Sequence, residues 1–153
     1  MSTRNYWSYV LGGDSWRELL AQDDRRAGFP RMSRNLQMIE PRHYLLCYQR
    51  REGRIAPCWV GVLEVVSTVF EEHTPIWRDG EYPWRFEVEA IVALTPETGV
   101  PIHQLRGQLT TQGIQEGWFF RDYPRMIPET DGEVVVNALQ EARRRLTGSG
   151  LAQ

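Results

Sequence analysis

The sequence predicts a small α+β domain built on a curved, mostly antiparallel sheet that closes into a barrel of about five or six strands. Five strand-like runs alternate with short helical patterns, and a longer amphipathic pattern follows them. The longest apolar run contains Gly61, which is typical of a bend or a bulge. A chain of 153 residues, 41% of them hydrophobic, fits one domain. We expect that domain over residues 1–147 and a disordered tail over 148–153.

The predicted strands are runs of β-branched and aromatic residues bounded by turn residues. They cover residues 5–11, 43–48, 58–70, 84–94 and 118–120. In the fourth run Arg85, Glu87 and Glu89 alternate with apolar residues, which predicts that these three side chains face solvent. Trp59 lies on the apolar side of the third run and is assigned to the core.

Helical patterns are predicted between and after the strands. Asp14 is placed as the N-cap of a helix over residues 15–22, with Trp16 on its apolar face. A helical turn near 34–38 and a short helix over 101–109 follow. Thr130 and Glu133 have capping-box spacing, so the last helix is predicted over 130–146. Residues 23–35 are polar and arginine-rich, which predicts an exposed loop.

The cysteines and histidines form no metal-binding or disulfide pattern. Cys47 and Cys58 each lie in an apolar run without a CxxC motif, which predicts two buried, reduced thiols. His43, His73 and His103 are too far apart for a zinc motif, so no metal and no cofactor is predicted. The chain has no signal-like N-terminus and no apolar run of about 18 residues, which predicts a cytoplasmic protein.

Common catalytic motifs are absent from the sequence, including GxSxG, glycine-rich phosphate loops and paired cysteine and histidine. Two pairs of carboxylates do occur. Glu71 and Glu72 are adjacent on a strand and point to opposite faces, so they cannot easily share a proton or a metal. Glu87 and Glu89 fit an ordinary solvated face. The sequence therefore favours a protein that is not an enzyme.

Charge is distributed unevenly along the chain. Residues 25–54 carry eight arginines and two glutamates, whereas residues 62–133 carry five arginines and thirteen acids. If the first segment lies on one face, that face offers a basic patch for local phosphate contacts.

An aromatic stretch is the strongest functional signal. Residues 73–77 are His-Thr-Pro-Ile-Trp, and after a turn at 79–80 residues 82–86 are Tyr-Pro-Trp-Arg-Phe. Rigid rings interleaved with arginine suit stacking on a base or another planar ligand. Aromatic residues beside proline can also pin a loop to the core, and composition leaves both interpretations open. His73 is expected to form hydrogen bonds within its loop.

The order of these elements resembles the EVE domain, a member of the PUA-like superfamily that includes the YTH readers of methylated adenine. Residues 70–77 and 82–86 are similar to the EDHTPLW and YPYRV segments of that family, and residues 59–65 are similar to its GIAEV strand. The resemblance covers about residues 5–145. Residues 7–13 depart from the family's WLFKSEP, and residues 47–50 depart from its FYHS.

The resemblance implies a barrel with a pocket for a flipped-out, modified base. The expected base is a modified cytosine such as 5-methylcytosine, and DNA is expected rather than RNA. The expected partner is therefore a nucleic acid that carries such a base, and no membrane. The resemblance implies three groups of site residues. Pocket walls are expected from Trp7, Tyr48, Trp77 and Trp84; base-edge contacts from Asn5, Ser8 or Asn35; and phosphate contacts from Arg34, Arg50, Arg85 and Arg121.

Two other functions stay open. One is an enzyme on a small nucleotide or nucleoside, with Glu71, Glu72 or His73 as acid or base in the same pocket. The other is a specificity subunit that partners a separate nuclease. The pocket separates the enzyme from a protein that only binds a base. An enzyme requires a carboxylate or imidazole with a shifted pKa that faces the aromatic walls, whereas a base-binding protein is expected to have none.

Overall fold

The computed structural model describes residues 4–77, 80–116, 120–121 and 123–148. Eight strands and four α-helices lie within those ranges, together with two short 3-10 helices at Pro96–Thr98 and Ile102–Leu105. In chain order the elements are β1 (Tyr6–Val10), α1 (Gly13–Ala21), β2 (Arg26–Phe29), α2 (Arg34–Met38), β3 (Tyr44–Gln49), β4 (Cys58–Val65), β5 (Phe70–Glu71), β6 (Trp84–Ala93), β7 (Val100–Pro101), α3 (Gln112–Glu116), β8 (Met126–Ile127) and α4 (Glu129–Gly148).

The strands form one mixed sheet in the order β2-β6-β4-β3-β1-β8, with β5 beside β6 and β7 beside β4. Strands β1 and β3 pair in parallel, because α1, β2 and α2 form the crossover between them, and the other pairs are antiparallel. The sheet curls into a half-barrel, which confirms the predicted α+β class.

The curl is produced near Gly61, as predicted. Register shifts interrupt the β3–β4 pairing between Cys47 and Tyr48 and the β4–β6 pairing between Val62 and Leu63. A Cβ atom on Gly61 would lie 2.5 Å from the Trp16 ring, so only glycine lets α1 approach the sheet here.

Two hydrophobic cores cover the two faces of the sheet. One core lies under α4 and includes Tyr48, Trp59 and Phe120. The other lies under α1 and includes Trp7, Trp16, Phe29 and Trp77. Trp16 and Trp59 are both fully buried, which confirms their assignment to the core.

Several predicted element boundaries are wrong. The stretch assigned to an exposed loop contains β2, in which Ala27, Gly28 and Phe29 are buried. The third predicted strand ends at Val65, and β5 is a separate short strand. The helix predicted over 101–109 is β7 followed by a 3-10 turn.

The helix starts also differ from the predictions. Helix α1 has Gly12 rather than Asp14 as its N-cap. Helix α4 begins at Glu129, so the predicted capping box at Thr130 does not mark its start. The strand predicted over 118–120 falls largely outside the described residues, as does the tail beyond residue 148.

Cys47 and Cys58 are free and buried, as predicted. Burial raises the pKa of the Cys58 thiol to about 11, with a smaller effect of the Glu97 charge, so this thiol stays protonated at neutral pH. Within the described ranges, no His, Cys, Asp and Glu residues gather in threes to hold a metal ion. Among the same residues, no helix has the length and apolar character needed to cross a bilayer.

Candidate functional site

An open cleft with a volume of about 790 Å³ lies at the carboxyl end of β1. The start of α1, the end of β2, the hairpin after β3, Trp77 and residues 80–83 also line it. Four aromatic residues line this aromatic cleft: Tyr9, Phe29 and Trp77, which are buried, and Tyr82, which is half-buried.

The first wall of the aromatic cleft is the pair Tyr9 and Phe29, whose ring centroids are 4.8 Å apart. The Tyr9 hydroxyl donates to the Gly28 carbonyl and accepts from the Gly28 N–H, each at 3.1 Å, so it ties β1 to β2. Burial raises the pKa of Tyr9 well above its ordinary value, and the phenol therefore stays neutral.

The second wall is the pair Trp77 and Tyr82, with ring centroids 4.7 Å apart and ring planes at 63°. Trp77 is 5% exposed, and its indole N–H has no hydrogen-bond partner among the described residues. Tyr82 has a φ of 47°, a left-handed backbone conformation that residues other than glycine rarely adopt. Its Cβ atom lies 2.8 Å from the position that a Cβ on Gly28 would take, so glycine is required there.

Arg85 holds the second wall in place. Its guanidinium donates to the carbonyl oxygens of Tyr82 (3.1 Å), Glu81 (2.8 Å) and Thr74, and to the Glu72 carboxylate (2.8 Å). The side chain is only 2% exposed. These bonds fix the backbone on both sides of the aromatic segment and retain the strained conformation of Tyr82.

Arg85 is therefore buried, and the prediction that it lies on a solvent face is wrong. Glu87 and Glu89 are exposed as predicted. Arg85 differs because it lies near the start of β6, where the strand pairs with β2 on one side and β5 on the other and the loop before it supplies acceptors. The sequence pattern cannot show a neighbouring loop that supplies acceptors for a buried guanidinium.

Glu72 links this loop to β2. Its carboxylate accepts hydrogen bonds from Thr74 (2.8 Å) and Arg26 (2.8 Å) in addition to Arg85. The Thr74 hydroxyl, followed by the charges of Arg26 and Arg85, lowers the Glu72 pKa. Glu72 is therefore a structural anion at neutral pH.

His73 extends the network toward solvent. Its Nε2 lies 2.7 Å from Glu71 and its Nδ1 lies 3.4 Å from Glu81, which confirms that His73 forms hydrogen bonds within its loop. The bond to Glu71 and then the bond to Glu81 raise the His73 pKa.

Charged residues lie along the rim of the aromatic cleft. Arg50 and Arg51 line it from the hairpin after β3. Two carboxylates, Glu52 and Glu81, also line it, although the reader hypothesis predicted none. The Glu52 carboxylate accepts from the Gly13 N–H at 3.0 Å, and Glu81 approaches His73.

The predicted wall residues do not gather at one place. Trp77 lines the aromatic cleft, but Trp7 and Tyr48 do not. Trp7 is buried in the same core as Trp77, and Tyr48 is buried in the core under α4. The Trp7 indole approaches His43 Nδ1 at 3.1 Å, and the Tyr48 ring stacks on Phe120 at 3.8 Å. Trp84 is half-buried at the start of β6 and does not line the cleft.

The predicted polar contacts are also dispersed. Ser8 is 1% exposed and accepts a hydrogen bond from the Arg125 N–H. Asn35 donates to the Pro124 carbonyl, and Asn5 accepts from the Tyr44 N–H through its own carbonyl. Of the four predicted phosphate contacts, only Arg50 lines the cleft. Arg34 is exposed on α2, Arg121 is exposed and donates to the Phe120 carbonyl, and Arg85 is buried.

Sequence reasoning missed Tyr9, Phe29, Tyr82 and Arg51 as lining residues. A signal for Phe29 existed, because the run Ala27, Gly28 and Phe29 is apolar inside a polar segment. Tyr9 could have been found from its position two residues after Trp7, since alternate residues of a strand share a face. Tyr82 lay within the aromatic segment already singled out.

The fold is shared with solved structures of low sequence identity. A hypothetical protein from Leishmania major has a TM-score of 0.66 at 14% identity, over 92% of this chain and 98% of that one. Human THYN1, solved in complex with DNA that contains 5-methylcytosine, has a TM-score of 0.60 at 11% identity, over 89% of this chain and 98% of that one.

A third structure has a TM-score of 0.63 at 17% identity, over 92% of this chain and 87% of that one. It is the YTH domain of the Zygosaccharomyces rouxii MRB1 protein in complex with N6-methyladenosine RNA. No protein-family model and no curated protein matches this sequence. The likeness establishes that this chain shares the fold of THYN1 and of the YTH domain.

Proposed function

We propose that this protein is a non-catalytic reader that binds a flipped-out, modified base in the aromatic cleft. The cleft is the main support for this proposal. Four aromatic residues and two arginines line it, and its volume lies within the ~300–1,000 Å³ typical of ligand pockets. The fold supports it. THYN1 and the MRB1 YTH domain have this fold, and both were solved with nucleic acids that carry a methylated base.

The energy of such binding is modest. Stacking on an aromatic side chain contributes roughly 1–3 kcal/mol per base, whereas flipping a base out of a duplex costs a few kcal/mol. Contacts from Arg50 and Arg51 to flanking phosphates supply the remainder, so the affinity will fall as the salt concentration rises.

We propose a modified cytosine in DNA as the ligand. A methyl group adds about 0.8 kcal/mol when it is buried, equivalent to roughly a fourfold preference. Selectivity for 5-methylcytosine over cytosine will therefore be small unless the rings pack tightly around the methyl group.

We also propose that a separate protein, such as a nuclease, acts on the recognised nucleic acid.

Fluorescence anisotropy with short oligonucleotides tests the proposal. The DNA and RNA probes carry cytosine, 5-methylcytosine, 5-hydroxymethylcytosine or N6-methyladenine. We expect tighter binding to one modified probe, and Trp77→Ala should weaken it roughly tenfold. Tyr123→Ala is the matched control, because Tyr123 is an exposed aromatic residue that does not line the cleft. Equal or absent binding to every probe would contradict the proposal.

Glu52 and Glu81 favour one alternative, because an enzyme acting on a small nucleotide would need an acid or a base in this cleft. Incubation of nucleotides and nucleosides with the protein, followed by chromatography, tests it. A product that forms with the unaltered chain and is lost in Glu81→Gln would favour the enzyme. Binding without turnover supports the reader.

A further inference from the structure

The first turn of α1 receives a carboxylate from a distant part of the chain. Its N-cap, Gly12, has no side chain to cap the helix, so the first amide groups lack a local partner. Instead, the Gly13 N–H donates to Glu52 Oε2 at 3.0 Å. The helix N-terminus carries partial positive charge, so Glu52 occupies a position that favours an anion.

A buried amide group approaches the same point. Gln49, the last residue of β3, is 1% exposed. Its Oε1 lies 3.2 Å from the position that a Cβ on Gly13 would take. Neither Oε1 nor Nε2 has a hydrogen-bond partner among the described residues. An unpaired buried amide costs roughly 1–3 kcal/mol, so a missing polar partner would explain its position.

Glu52 lies between the aromatic cleft and a second cleft. The second cleft has a volume of about 510 Å³ and lies over the start of α1. Glu52, Gly12 and Ser15 line both clefts. The Glu52 side chain is thus placed where a group bound in the aromatic cleft would reach the helix N-terminus.

The charges differ on the two sides of Glu52. Besides Glu52, the aromatic cleft is lined by two cations, Arg50 and Arg51, and one anion, Glu81, together with the Ser15 hydroxyl. The second cleft is lined by one cation, Arg17, and two anions, Asp14 and Glu18. An anion is therefore favoured when it approaches from the aromatic cleft.

We propose that the first turn of α1 and Gln49 bind a phosphate group of the nucleotide whose base occupies the aromatic cleft, and that Glu52 closes this site in the free protein. The identity of the nucleotide rests on the proposed function. Binding exchanges one anion for another, because a phosphate oxygen takes the Gly13 N–H and Glu52 moves into solvent. The Gln49 amide, whose Oε1 faces Gly13 in the free protein, then turns so that Nε2 donates to the phosphate, which gives one of its two unpaired atoms a partner.

Affinity measurements with a matched pair of ligands test this site. The ligands are 5-methyl-2′-deoxycytidine and its 5′-monophosphate, and the variant is Glu52→Ala, which alters an exposed residue of the hairpin. We expect the variant to improve the affinity for the monophosphate roughly fivefold more than the affinity for the nucleoside, because only the monophosphate carries a group for the freed Gly13 amide. Asp14→Asn is the control. It also removes one negative charge near the first turn of α1, but the Asp14 carboxylate pairs with Arg17 and is not the partner of the Gly13 N–H.

Nuclear magnetic resonance locates the site independently of the base. Inorganic phosphate is titrated into the Glu52→Ala protein, and the Gly13 and Ser15 amide resonances should move more than those elsewhere. In Gln49→Leu the monophosphate affinity should fall while the fold is retained, because the change removes an unpaired polar group from a buried position.

The outcomes separate this site from the proposed function. If the base binds but Glu52→Ala has no more effect than Asp14→Asn, and the Gly13 amide stays unmoved, the phosphate site is overturned and the reader stands. If phosphate moves the Gly13 amide but no nucleoside or oligonucleotide binds, the anion site stands and the reader fails. If neither occurs, both are overturned.

Discussion

Two largely buried aromatic clusters lie on opposite faces of the sheet, and only one of them borders a cleft. The enclosed cluster consists of Tyr48, Trp59 and Phe120, and the open cluster consists of Tyr9, Phe29, Trp77 and Tyr82. In the enclosed cluster the Tyr48 and Phe120 rings stack at 3.8 Å with planes at 9°, and the Trp59 ring meets Phe120 edge-on at 5.1 Å. The open cluster consists of two ring pairs, Tyr9 with Phe29 and Trp77 with Tyr82, and all four residues line the cleft.

The cover over each face explains the difference. Helix α4 has 20 residues and packs on β3, β4 and β6, and the enclosed cluster fills the space beneath it. Helix α1 has 9 residues, and the rest of that face is bounded by the segment that Arg85 holds. What covers an aromatic residue therefore decides whether it belongs to the core or lines a cleft. The residue type alone does not decide between these two positions.

The largest effect on stability is expected in the enclosed cluster. Phe120→Ala should lower the free energy of unfolding by about 3–5 kcal/mol, because it leaves a cavity and removes the stacking partner of Tyr48. Urea denaturation measures the loss. Trp77→Ala in the open cluster is the comparison and should cost less, since its ring already borders a cleft. Equal losses would show that the two clusters are equally packed.

The next effect concerns the support of the open cluster. Arg85→Met should cost about 2–3 kcal/mol, because the carbonyls of Thr74, Glu81 and Tyr82 lose a charged donor. The segment that these carbonyls border should also become sensitive to protease, as mass spectrometry of the fragments would show. Arg26→Met is the control, since this half-buried arginine also pairs with Glu72 but does not bind those carbonyls. Equal sensitivity in both variants would contradict the role assigned to Arg85.

A smaller effect is expected from a single hydroxyl in the open cluster. Tyr9→Phe leaves the N–H and the carbonyl of Gly28 without their partner, at a cost of about 1–2 kcal/mol. Tyr48→Phe is the matched change in the enclosed cluster, and it should cost less because the structure shows no hydrogen bond of its hydroxyl among the described residues. Thermal unfolding of both variants decides this, and a larger loss for Tyr48→Phe would reverse the comparison.

The smallest effect is a pH dependence of the loop beside the open cluster. The bonds of His73 to Glu71 and Glu81 raise its folded pKa above the ordinary value of 6.5. The stabilisation is therefore complete below about pH 6.5 and is lost as the pH rises through the raised pKa. Titration of the His73 ring resonances should show that upward shift, and it should shrink in Glu71→Gln. An unshifted His73 would mean that the exposed ion pairs contribute nothing.

Much of the fold could be predicted from the sequence. The α+β class, the bend near Gly61, the burial of Trp16 and Trp59 and the local bonds of His73 follow from residues close together in the chain. The candidate site was predicted only in part. Trp77 and Arg50 line the aromatic cleft, while Trp7 and Tyr48 share the same strand pattern and are enclosed.

The sequence by itself determined where most of the longer strands and helices lie and which of their faces are apolar, because periodicity and glycine placement act over a few residues. Only the tertiary structure decided which apolar face remained open, since that depends on the length of α4, on the crossover that brings β2 beside β6 and on a buried arginine. Glu52 and Gly13 are 39 residues apart, and no local pattern places a carboxylate of one hairpin on the first amide of a distant helix.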